Sequence, residues 1–144
     1  MNIYLDTCCY CRFFDDLTQD KTRRECDIIT NILEFSPALG NIIIGSSVLF
    51  FELNRISDCE KRQKVLDIYN GAAAKIYTDV LPEIETRAQA LMQSGLKLFD
   101  SYHLSFAESA GADILLTTDD NFEKICSTIN SKVRVINPIK LWEA

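Results

Sequence analysis

Five short apolar runs, set apart by segments of helical period, constrain this chain more than any other feature. Ile3 to Leu5, Ile42 to Gly45, Ile76 to Thr78, Ile114 to Thr118 and Val133 to Ile136 read as strands. The segment from Lys21 to Phe35 carries Ile28, Ile29, Ile32, Leu33 and Phe35 at helical spacing. Further helical segments follow at Val48, Leu49, Leu53 and Ile56, with Ser46 or Ser47 as cap, and then from Glu60 to Ala74, Leu81 to Leu91, Asp100 to Ala110 and Phe122 to Ile129. Ser36-Pro37, Gly40-Asn41, Gly111 and Asn137-Pro138 punctuate them. Short apolar strands alternating with helices predict an α/β fold around a mostly parallel central sheet. With no repeat, low-complexity segment or Pro/Gly-rich linker, residues 1–144 read as one domain.

In such a sheet, ligands bind beyond the carboxyl ends of the strands. Asp6 follows the first strand and Asp119 follows the run ending at Thr118, so both are placed at the same sheet edge. Asp100 starts a helix, as N-cap or first-turn acid. Glu52 lies about 60° from Leu49 and about 40° from Ile56 on a helical wheel, at the border of the apolar stripe. Each acid alone has a plain reading as turn former, cap or solvated side chain. Together they suggest a crevice where carboxylates raise one another's pKa unless a cation intervenes. Oxygen donors suit Mg²⁺ or Mn²⁺, and such ions hydrolyse phosphodiesters without a nucleophilic side chain.

Six cysteines raise the question of disulfides or a metal knot, most sharply at Cys8-Cys9-Tyr10-Cys11. One C-x-x-C without a second, and a single histidine, do not complete a tetrahedral zinc site. The thiols read as reduced packing residues, with Cys8 able to bias metal choice or render the site oxidisable. The start of the chain carries no signal-peptide pattern and no run is long enough to span a bilayer, so the expectation is a cytoplasmic protein without a membrane partner. A net charge of −6 disfavours non-specific nucleic-acid binding, unless bound cations invert the local sign.

The segments Ile3-Tyr4-Leu5-Asp6-Thr7, Ser46 to Leu53, Phe99 to Ala107 and Gly111 to Phe122 resemble, in this order, the motifs of the PIN domain family. The last segment is the most specific, and length and motif order fit the VapC-like toxin subgroup. The resemblance implies a three-layer α/β/α fold and a Mg²⁺- or Mn²⁺-dependent ribonuclease that leaves 5′-phosphate and 3′-hydroxyl ends. By position it implies Asp6, Glu52, Asp100 and Asp119 as metal-binding acids. Thr117 would hydrogen-bond within the site, and Thr7, Ser47, Asp120 and Asn121 would support it. It also implies an RNA substrate, a homodimer and an antitoxin partner. The sequence departs from the pattern at Cys8, where Asn or Ser is usual, and at Asn121, where a further acid is usual.

His103, three positions after Asp100, could bind phosphate or shuttle a proton; packing beside the sheet is the simpler reading. Arg12, Lys21, Arg23 and Arg24 form the densest basic stretch and could meet RNA phosphates. Leu141 and Trp142 are expected to seal the core or a dimer contact. Two alternative functions remain at this point: a PIN-like binding module without catalysis, and a phosphotransferase or receiver using Asp6 as phosphate acceptor.

Overall fold

A computed structural model describes residues 1–143, with side chains through Leu141. Strands β1 (Asn2–Leu5), β2 (Ile42–Ser46), β3 (Lys75–Tyr77), β4 (Ile114–Leu116) and β5 (Arg134–Ile136) form one sheet in the order β3-β2-β1-β4-β5. All its pairings are parallel. The helices are α1 (Thr7–Cys11), α2 (Asp20–Phe35), α3 (Ser47–Leu53), α4 (Cys59–Ala72), α5 (Pro82–Gln93), α6 (Leu98–Ser109), α7 (Asp120–Cys126) and α8 (Pro138–Glu143). The architecture is a three-layer α/β/α fold, and the sheet expected to be mostly parallel is wholly so.

Strand order locates the crevice. From β1 the chain steps outward to β2 and β3, then crosses to the other side of β1 to lay down β4 and β5. Connections leave β1 and β4 in opposite senses, and that divergence opens the sheet's carboxyl edge between them. Leu5 pairs with Leu116. The Asp6 amide extends the ladder by donating to the Leu116 carbonyl at 2.9 Å. Asp6 and Thr117 therefore stand side by side where the strands end.

The core beneath this edge is dry. Tyr4, Leu5, Leu49, Leu53, Leu104, Leu115 and Leu116 have no exposed surface. Tyr10 and Tyr69 meet edge to face, with ring centres 5.6 Å apart. Gly45 in β2 leaves the space that the Tyr69 hydroxyl fills; a Cβ there would stand 2.5 Å from that oxygen.

Several boundaries differ from the sequence reading. Helix α1 had no periodic signal because it is barely longer than one turn; it starts because the Asp6 carboxylate accepts the Thr7 N–H. Asn137-Pro138 starts α8 as well as stopping β5: Asn137 Oδ1 accepts the Ile139 N–H at 2.9 Å, and proline suits a first turn. Helix α3 ends at Leu53, leaving Ile56 beyond it. Helix α6 begins at Leu98, so Asp100 is a first-turn acid and not the N-cap, which is Lys97. All six cysteines are free. Leu141 packs against the core, whereas the expectation for Trp142 lies outside the described side chains. Among the described residues no helix is long and apolar enough to cross a membrane.

Candidate active site

Asp6 is only 5% exposed, and its carboxylate is held from three sides. Oδ1 accepts the Thr7 amide at 2.7 Å, and Oδ2 accepts the Thr117 hydroxyl at 2.9 Å. The Cys8 thiol donates to the same Oδ2 at 3.3 Å, and its sulfur accepts the Thr118 amide at 3.3 Å. Thr117 Oγ1 in turn accepts the Asp119 amide at 3.1 Å, tying the two strand ends together. Cys8 is more than a packing residue: Asp6 caps α1 and Cys8 stands in its first turn, so the thiol touches the central acid.

Glu52 projects from α3 at the stripe border, half-buried, and faces the same crevice. Its Oε1 accepts the Thr7 hydroxyl at 2.7 Å and a short hydrogen bond from His103 Nε2. His103 is fully buried on α6, with Nε2 also 3.5 Å from Asp6 Oδ1. Behind it, the Tyr4 hydroxyl lies 2.7 Å from Nδ1 and 2.7 Å from Ser46 Oγ, which caps α3 by accepting the Leu49 amide. A continuous polar chain thus runs from β2 through β1 and α6 to Glu52. The reading of His103 as a packed helix histidine captures its burial and misses its partner.

Charge states follow from these contacts. Burial would raise the Glu52 carboxyl, but the hydrogen bond and charge of His103, the Thr7 hydroxyl and Arg55 bring it below its usual range. Burial would lower His103, yet Glu52, Asp6 and Asp100 outweigh it and raise the imidazole. Asp100 behaves oppositely to Glu52. Burial, then the negative charges of Asp6, Asp119 and Glu52, push it up to about 7, against a smaller opposing effect of His103. Asp119 caps α7, its Oδ1 accepting the Asn121 and Phe122 amides at 2.9 and 3.2 Å.

Among the described residues, Asp6, Glu52 and His103 form the tight group, each offering one donor atom within 4.8 Å of the others. Asp100 and Asp119 lie outside that group; Asp100 is coupled to it by charge, and Asp119 to Asp100. Two expected supporting residues stand elsewhere. Ser46, not Ser47, joins the polar chain, because the last strand residue points inward while Ser47 begins the helix. Asp120 is exposed and pairs with Lys21 at 3.1 Å. Asn121 contributes its backbone amide to Asp119, and its side chain sits on an exposed residue. The basic stretch is largely neutralised as well: Arg12 binds Asp15 and Glu25, Lys21 binds Asp120, and Arg23 binds Asp20.

The donor set fits a divalent cation. Asp6 and Glu52 share the crevice with one imidazole, and Asp100, coupled to them by charge, is pushed toward its protonated form. Oxygen donors with at most one ring nitrogen suit Mg²⁺ or Mn²⁺.

With this geometry, the sequence matches the PIN domain profile over residues 3–127. The chain belongs to the PIN domain family. No curated protein sequence matches it significantly. Its fold is similar to that of Mycobacterium tuberculosis VapC20, described as a sarcin–ricin loop cleaving toxin, at 13% identity and TM-score 0.62, covering 92% of this chain and 98% of that one. VapBC-1 from nontypeable Haemophilus influenzae gives 12% identity and TM-score 0.61, covering 96% and 99%. VapBC2 from Rickettsia felis, solved bound to a promoter DNA fragment, gives 19% identity and TM-score 0.57, covering 95% and 98%. At these identities the likeness is one of fold.

Proposed function

We propose that this chain is a divalent-cation-dependent endoribonuclease and the toxin of a type II toxin–antitoxin pair. The observation that carries the reading is the crowding of acids at the sheet's carboxyl edge, where Asp6 and Glu52 meet and where burial, then the charges of Asp6, Asp119 and Glu52, push Asp100 up to about 7. Family membership and the likeness to a toxin that cleaves an RNA loop support RNA as substrate. The two toxin–antitoxin neighbours support an antitoxin partner. A cytoplasmic homodimer is the assembly expected on the same grounds.

Asp6, Glu52, Asp100 and Asp119 would hold Mg²⁺ or Mn²⁺. Such an ion, when bound, lowers the pKa of an attacking water and stabilises the leaving oxygen. The chain's own residues orient the acids. Thr117 and the Thr7 amide fix Asp6. His103 and the Thr7 hydroxyl fix Glu52. The α7 amides fix Asp119. Asp100, partly protonated near neutral pH in the absence of a cation, ionises when positive charge arrives.

Incubation with a mixed single-stranded RNA pool tests the reading, in Mg²⁺, in Mn²⁺ and in chelator, beside Asp6→Asn. The expected result is cleavage in metal only, leaving 5′-phosphate ends and lost in the variant. Cleavage that survives chelator and the substitution would overturn it. Binding of RNA without cleavage in either metal would favour a PIN-like binding module.

A further inference from the structure

The cations expected to meet RNA are mostly occupied by carboxylates, which leaves open what holds a substrate beside so acidic a site. One cation near the acids is placed differently. The Arg55 guanidinium, just past the end of α3, lies 5.5 Å from the centre of the Phe51 ring and 5.7 Å from that of Phe99. The two rings are 5.9 Å apart and tilted by 38°. Phe51 is 53% exposed, and Phe99 is half-buried at the start of α6. Among the described residues Arg55 forms no ion pair.

The chain positions of these rings are informative. Phe51 immediately precedes Glu52, and Phe99 immediately precedes Asp100. Arg55 lines a small open cavity of about 240 Å³ together with Glu52 and Ile56. It is also close enough to help hold Glu52 ionised. Two helices thus present an aromatic pair and a stacked guanidinium at the rim of the crevice, one residue from two of its acids. Buried in the core, such rings would need no further explanation; here Phe51 stands at the surface of α3, while Phe99 rests against the core and is only partly covered.

We propose that Phe51, Phe99 and Arg55 form a stacking step for an unpaired nucleobase of the RNA substrate. This rests on the nuclease reading and names its substrate class as single-stranded or looped RNA. A guanidinium placed over aromatic rings can offer a cationic face to a base and a positive charge to its phosphate. Aromatic rings accept any base face, so the step contributes affinity with little sequence preference. A paired base has both faces covered by its neighbours and cannot use it.

The test measures anisotropy of a labelled single-stranded RNA of mixed sequence, and of an abasic oligonucleotide of equal length, binding to full-length protein carrying Asp6→Asn. Adding Phe51→Ala or Arg55→Ala is expected to weaken binding of the base-bearing RNA by about 5- to 100-fold. The abasic ligand should change far less with Phe51→Ala, and Phe51→Trp should restore binding. Circular dichroism and sedimentation of each variant accompany the titrations. Unchanged binding by both alanine variants would overturn the proposal. So would an equal loss for base-bearing and abasic ligands, which marks a phosphate contact alone. Loss of RNA binding that accompanies dissociation of a dimer would also overturn it, and would assign the rings to contact with a second copy. The two readings fail separately. Metal-dependent cleavage by the parent with normal binding by Phe51→Ala removes only the stacking step. Base-dependent binding through Phe51 by a protein that cuts nothing removes only the nuclease.

Discussion

Glu52 and His103 shift each other's titration in opposite directions at the floor of the crevice. Burial alone would favour the neutral form of both; their contact lowers the Glu52 carboxyl and raises the His103 imidazole, with Thr7 and Tyr4 supplying the remaining hydrogen bonds. His103→Ala should leave Glu52 and the Tyr4 hydroxyl short of a partner and open a cavity. The expected loss is about 2–4 kcal/mol in urea unfolding, and less for His103→Gln. Asp100 governs the pH response of the cation-free protein. Folded Asp100 keeps its proton up to about 7, while the unfolded chain releases it near the ordinary 3.8. Between those values the folded state binds more protons, so stability falls as pH rises. The raised His103 continues the fall above its ordinary range. In chelator, melting temperatures across pH 4–7 should decline for the wild type and flatten for Asp100→Asn. The acids were legible in the sequence because strand ends and helix starts announce themselves. The Glu52–His103 pair was not, since it joins two helices 51 positions apart.

At the scale of elements, strands and long helices were readable because β-branched runs and helical period survive without tertiary context. Helices α1 and α8 were not, being too short to show a period and started by Asp6 and Asn137 side chains. The N-cap of α7 lets structure and charge be separated. Asp119→Asn keeps an acceptor for the Asn121 and Phe122 amides, so stability should stay within about 0.5 kcal/mol while cleavage is lost. Packing between β2 and α4 is less forgiving. Gly45→Ala would drive a methyl group against the buried Tyr69 hydroxyl, which donates to the Ser46 carbonyl. Overpacking of this kind should cost about 1–3 kcal/mol, read as a lower urea midpoint.

For the whole molecule, charge sets the terms of RNA binding. The net charge is −6, and most of the basic stretch is paired with acids. Binding through few phosphate contacts releases few counterions. The slope of log affinity against log salt should therefore be shallow, about −1 to −2, where an extended basic groove would give a much steeper one. That pairing was invisible in the sequence, where Lys21 and Asp120 lie 99 positions apart.

On the nuclease reading, the carboxylates around Asp6 repel one another until a divalent cation joins them. Melting temperatures of the wild type and Asp100→Asn, in chelator and in millimolar Mn²⁺ at pH 7.5, test it most directly. In chelator the variant should melt a few degrees higher, since it removes one repelling charge. Mn²⁺ should raise the wild type and reverse that order, because only the wild type retains the full set of acids. A wild type indifferent to Mn²⁺, or a variant that melts lower in chelator, would rule out a cation site built on these acids.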